Sequence, residues 1–310
     1  MIFNGLQGLT IPEGVVTQIA RDGVVLWAIK SEEPTLPIIL EVEKITSNTY
    51  AGGTTYNNEE FILLDIYPKT NGTVNVTYGG LTKTITDTSG AEEPNAQQVF
   101  FGTFNGVSDS VTTPASGELI IEGDCYAFGV GRFAIASKDT GRGCTCICSV
   151  VNFGKVDRIP LQSFGGLLPV LPSKFRQTSM KIPSTIKSIE TYAFYKCTSL
   201  VDVEISEGVE SLGIYCFGLC SNLTSITIPS SVTFIGEYSF AESVKTVKML
   251  NLTPPEMGVT TSDSGQNGAF GNISVENFVL EQIIVPKGSG NTYKTAAGWS
   301  IYADYIVEES

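Results

Sequence analysis

The sequence predicts a mainly β chain, with an antiparallel sandwich followed by a solenoid. Three observations carry that expectation. Isoleucine returns every 23 residues, at Ile159, Ile182, Ile205 and Ile228. Short runs of strand-forming residues, roughly ten residues apart and bounded by turn formers, fill positions 38–153. Glycine is abundant at 32 residues while charged residues make up only 16%, a balance that suits turn-rich β structure better than helical bundles.

Around the last three isoleucines a whole pattern repeats. Ile189, Leu212 and Ile235 keep the 23-residue spacing, and so do Phe194, Phe217 and Phe240. Self-similarity at such a period marks a solenoid, whose units bury their apolar face only by stacking on neighbours. Each unit ends in a short strand template: Leu200, Val203 and Ile205, then Leu223, Ile226 and Ile228, then Val244, Val247 and Met249. Residues two apart share a strand face, so Val203 and Ile205 point into the stack. The alternating Asp202 and Glu204, Ser225 and Thr227, and Thr246 and Lys248 must point outward. The third unit is two residues shorter between Phe240 and Val244.

The edges of the array are less regular, as expected of terminal repeats with one side in solvent. Ile159-Pro160 with Ser163-Phe164 reads as a shortened unit, and 175–182 as a further strand. Leu280, Ile283 and Val285 fit the strand template after a polar insertion spanning Thr260 to Asn272. A short helix is expected near Asn291 to Ala297 as a closing cap.

The run Ile189-x-x-x-Ala193-Phe194, then Cys197-x-x-Leu200-x-x-Val203-x-Ile205, with its partners one period on, resembles the BspA-like leucine-rich repeat family. The ending Ile284-Val285-Pro286, Tyr293-Lys294 and Ala297-Gly298-Trp299-Ser300 resembles the close of such arrays. The resemblance covers about half the chain, from near residue 156 to 310. It implies bacterial, archaeal-protist or phage-encoded surface proteins that bind host or matrix molecules, and it implies no single ligand.

Composition excludes several function classes. The formal charge is −13, so no basic stripe exists to neutralise phosphates, and nucleic acid is not an expected partner. Histidine is absent, which removes Ser-His-Asp and Cys-His catalysis and the usual mixed metal-ligand sets. No apolar run approaches the ~20 residues of a membrane span. The start, MIFNGLQGLTIPEG, lacks the basic and apolar regions of a signal peptide. The sequence therefore expects a leader already removed or another route out, such as a virion. The odd count of seven cysteines excludes a complete disulfide framework. Cys197 and Cys220, one period apart, read as stacked core thiols. Five Asn-x-Ser/Thr sequons, at Asn71, Asn75, Asn222, Asn251 and Asn272, carry little weight without a secretory cue.

The N-terminal half divides into a hairpin segment over 1–30, a proline-bearing linker over 31–37, and a sandwich over 38–153; the solenoid with its cap occupies 154–310. Asp22-Gly23 turns the first hairpin. The segment from Gly8 to Trp27 is also similar to phage and prophage tail-associated proteins. Candidate strands are 38–46, 61–67, 73–78, 81–86, 99–104, 118–122, 133–137 and 144–153, with Gly79-Gly80 joining the third and fourth. Their spacing suits an immunoglobulin-like module.

Local motifs yield no catalytic site. Cys144, Cys146 and Cys148 alternate and would share a strand face. Three thiolates fall one short of a usual zinc set, so a buried face of inert thiols is the stronger reading. Asp139-Thr140-Gly141 spells an aspartic-protease triplet but lies in a polar turn, without the second carboxylate that chemistry needs. Gly129-x-Gly131-x-x-Ala134 lacks the strand–turn–helix context of a nucleotide loop.

The expected protein is thus a non-enzymatic recognition or adhesion molecule at a bacterial cell surface, needing no cofactor and no metal. Its partner would be a host or matrix protein or a glycan. The candidate binding residues are the outward strand residues Asp202, Glu204, Ser225, Thr227, Thr246 and Lys248, with Tyr192, Tyr215 and Tyr238, which recur at 23 residues. Two rivals remain at this point: a phage or prophage tail protein that reads a receptor, and a glycosidase with a carboxylate pair that the spacing does not reveal.

Overall fold

The structure is a computed structural model. It describes residues 19–21 and 24–27 and, from Pro37 onward, all residues except 48–58, 70, 89–96, 105–106, 124, 131–146, 166–174, 263–264 and 275. Residues 1–36 form one unit and 37–310 another. In the first, Ile19–Arg21 pairs antiparallel with Val24–Trp27.

The second unit opens with two antiparallel sheets. One has the strand order Ile147–Asn152, Ile38–Glu43, Ser116–Gly123, Thr73–Tyr78, Leu81–Thr86. The other has the order Cys125–Val130, Glu59–Pro68, Gln97–Phe104, Val107–Ser108, and Ile45–Ser47 also pairs with Glu59–Pro68. Period-two alternation places Leu40, Val42, Ile62, Leu64, Val74 and Val76 in a shared buried core. Tyr78 and Phe101 meet edge-on across the sheets at 5.7 Å. Gly79 and Gly80 both hold positive φ, 56° and 81°, as a two-residue hairpin turn of the primed type demands. The strand Cys125–Val130 was not among the expected ones. The expected strand 133–137 lies outside the described residues, as do Asp139-Thr140-Gly141, Gly131 to Ala134, and the linker except Pro37.

The solenoid follows as a coil with two parallel ladders. The longer strands are Ser179–Ile182, Asp202–Ile205, Ser225–Ile228, Thr246–Met249, Gln282–Val285 and Ile306–Glu308. The shorter are Arg158–Ile159, Ser188–Ile189, Ser211–Leu212, Phe234–Ile235 and Glu256–Met257. Ile189, Leu212, Ile235, Phe194, Phe217 and Phe240 are all buried. The phenylalanines form one stacked column from Phe164 to Phe270, with Phe194–Phe217 at 5.0 Å and Phe217–Phe240 at 5.9 Å.

One expectation needs correction. The insertion does not run to Asn272: it is a small hairpin of Thr260–Ser262 and Gly265–Asn267, after which Ala269-Phe270 resumes the small-residue–Phe motif. The extra residues are absorbed outside the coil, because Phe270 must still reach the column.

Both ends of the coil are closed. At the start, Phe128 of the sandwich meets Phe164 at 6.3 Å, and Arg176 donates its amide to the Cys148 carbonyl at 2.9 Å. At the end stands the helix Gly290–Thr295, whose own Tyr293 is fully buried, as are Trp299 and Tyr302 after it. Glu308 accepts from the Gly288 and Gly290 amides at 3.0 and 2.8 Å, which holds its carboxyl below the usual range.

A second column explains Cys197 and Cys220. Cys197 donates to the Phe164 carbonyl at 3.4 Å and Cys220 to the Phe194 carbonyl at 3.1 Å; Ser243 Oγ does the same for Phe217 at 2.7 Å. The position wants a small donor reaching back one turn, and a thiol or a hydroxyl serves. Burial pushes the thiols of Cys125 and Cys220 up to about 12, and those of Cys197 and Cys216 upward as well. Thiolate, the reactive form, is therefore scarce. On native protein at pH 8, alkylation should leave Cys125, Cys148, Cys197, Cys216 and Cys220, all buried, unmodified, and denaturant should expose all five; mass spectrometry of the labelled peptides reads this directly.

Candidate functional site

The outward strand residues share one continuous surface. Asp202, Glu204, Ser225 and Thr227 are exposed, and Thr246 and Lys248 are half-buried, while Val203, Ile226 and Val247 between them are buried. Parallel register stacks Lys181, Glu204, Thr227, Lys248 and Ile284 in one row, and Ser225, Thr246 and Gln282 in another. Lys181 pairs with Glu204 along the row, and Lys248 with Glu309 at 2.7 Å. These exposed pairs add little stability. They leave a flat surface of mixed charge without a large aromatic.

The tyrosines form a different surface. Tyr192, Tyr215 and Tyr238 stack nearly parallel, 5.2 Å and 4.7 Å apart. Tyr195 meets the first two edge-on at 5.2 and 5.6 Å. All four rings are half-buried, so they form a packed ladder with one side in solvent. They sit in the turn after the short-strand ladder, on another side of the coil from the long-strand face. Tyr192, Tyr215 and Tyr238 all hold φ between 54° and 58°, in the left-handed region that costs ordinary residues about 1–2 kcal/mol. That backbone turns the next two residues inward and puts Phe into its column, and ring stacking offsets the strain. Desolvation, then the neighbouring phenols and Glu237, push the Tyr215 hydroxyl well above its ordinary range. It stays a neutral donor at any ordinary pH.

The ladder ends in a groove that sequence reading missed. The turn beyond Tyr238 supplies Gly271, with φ 91° and space for a Cβ 3.9 Å from Tyr238 Cδ1. Among the described residues no ring stacks on the far face of Tyr238. A groove of about 210 Å³ opens there, lined by Tyr215, Tyr238, Glu242, Asn272, Asn277 and Phe278 among others. Tyr302 of the cap fixes its floor, donating to the Gly271 carbonyl at 2.6 Å and accepting from the Phe270 amide at 3.3 Å. The one available signal is the break in the tyrosine period after Tyr238.

Of the three-cysteine strand, Cys148 is buried on Ile147–Asn152, and Cys144 and Cys146 lie outside the described residues. Among the described residues no cluster of three or more Cys, Asp or Glu is placed to hold a metal ion, and no helix is long and apolar enough to cross a membrane.

This coil of parallel ladders, with a buried Phe column and a repeating exposed strand face, defines a leucine-rich repeat solenoid. Residues 173–285 match the BspA type leucine rich repeat region in six copies. Such solenoids are typical of protein-binding and adhesion-type proteins rather than enzymes. No curated protein matches the chain.

Proposed function

We infer that the protein is a non-enzymatic recognition or adhesion protein displayed at a bacterial surface, where its repeats bind a host or matrix protein or glycan. The immunoglobulin-like sandwich over 38–153 serves as the spacer that presents them. The observation that carries this reading is the long-strand face. Five successive strands offer outward residues in unbroken register, while every intervening residue is committed to the core. Strand spacing of ~4.8 Å makes such a face a regular platform. Asp202, Glu204, Ser225, Thr227, Thr246 and Lys248 are its contact residues. Without an aromatic anchor the affinity of this patch alone is modest.

The test is saturable binding of the full chain to immobilised matrix proteins and glycans. The triple variant Glu204→Thr, Ser225→Lys and Thr227→Glu changes only exposed positions and sets no like charges side by side in the rows, so it should cost no more than about 0.5 kcal/mol per site in stability. Its binding should fall by about tenfold or more if the face is the contact. Undiminished binding by a folded triple variant would refute the strand face as the site.

A further inference from the structure

We propose that the groove at the end of the tyrosine ladder binds one neutral pyranose ring of a glycan. The proposal deepens the recognition reading by naming a ligand class at a second place on the coil. Four features point to a sugar. The half-buried Tyr238 ring lines the groove, and the axial C–H face of a pyranose stacks on an aromatic ring. The rim carries the exposed Asn277 amide and the Glu242 carboxylate, which together offer the donors and acceptors that adjacent hydroxyls require. The volume, about 210 Å³, is below that of drug-sized pockets and holds a single ring. The floor is already fixed by the Tyr302 hydroxyl on Gly271 and by Asn272, whose side-chain oxygen accepts the Ser274 amide at 2.8 Å, so little ordering is left to offset on binding.

Charge narrows the class. Glu242 stands in the groove of a chain carrying −13 overall, so a carboxylated or sulfated sugar meets repulsion, whereas a neutral hexose or N-acetylhexosamine does not. The ladder behind the groove explains why the platform is rigid: Tyr238 is backed by Tyr215 and Tyr192, so the ring meets a ligand without losing further rotamer freedom. A protein with one such groove gains avidity only through clustering or a second contact, and the strand face supplies that second contact.

Saturation-transfer NMR on the full chain decides the matter. The neutral probes are methyl glucoside, methyl mannoside, methyl galactoside and N-acetylglucosamine; glucuronate and sialic acid are the anionic ones. At least one neutral probe should receive saturation at its ring protons, with Kd in the region of about 1 mM for so small a ligand. Asn277→Ala and Glu242→Gln alter exposed residues and should each weaken it by roughly tenfold. Tyr238→Ala should abolish it, and Asp202→Asn on the strand face should leave it unchanged. The proposal is overturned if no neutral probe is saturated, if the anionic probes bind better, or if Asn277→Ala and Glu242→Gln both bind like the parent. Any of those results leaves the strand face to stand or fall on its own triple variant.

Discussion

Phe217→Ala should lower the stability of the solenoid by about 3–5 kcal/mol, the range for removing a large aromatic from a packed core. Phe217 is fully buried and stacks between Phe194 and Phe240 at 5.0 and 5.9 Å, with interplanar angles of 2° and 3°. Truncation therefore removes two ring contacts as well as the buried area. The loss should not stay local. The Phe217 amide donates to Ser239 in the next turn, and the Phe194 amide to Cys216 in its own direction along the coil, so the cavity loosens the turns on both sides. Hydrogen exchange should quicken first at the amides of residues 192–197 and 238–243, flanking the cavity. Phe217→Leu, which keeps most of the volume, should cost less than half as much. Equal denaturation midpoints for the parent and Phe217→Ala would show that the column is not where the stability lies.

The same local coupling explains what could be read in advance. In a coil each residue's main neighbours are the equivalents one period away, so a 23-residue recurrence is already a contact map. Ile189, Leu212, Ile235 and the three phenylalanines follow from it, as do the outward Asp202 and Glu204. The reading fails where contacts break the period. Phe270 comes thirty residues after Phe240 because a hairpin intervenes, and a period search passes over it. The strand Cys125–Val130 ends in a glycine-containing stretch, and glycine weakens any strand pattern. The groove needs Tyr302 to fold back onto Gly271, a contact across 31 positions with no periodic trace. The tyrosine spacing carries the recurrence but not its exposure, since a ladder on a corner and a ladder inside the coil have the same period.

The closing cap should prove as sensitive as the column. Trp299 is fully buried, meets Tyr293 edge-on at 4.9 Å and Phe270 at 6.3 Å, and donates its indole N–H to the Pro255 carbonyl at 2.8 Å. It thus covers the last ring of the phenylalanine column and satisfies a buried carbonyl in one stroke. Trp299→Ala should cost about 3–5 kcal/mol and expose Phe270 to water at the end of the stack. Terminal units with a polar outer face keep such arrays soluble, so the variant should also self-associate, which sedimentation would read as a rise in mass with concentration. Trp299→Phe separates the two contributions. It keeps a ring over Phe270 but leaves the Pro255 carbonyl without its donor, a loss of about 1–3 kcal/mol. The Phe variant should remain monomeric while its midpoint falls part of the way. If Trp299→Ala unfolds at the parent's midpoint and stays monomeric, the cap does not seal the column. The stack would then be held from its other end, where the sandwich packs Phe128 against Phe164.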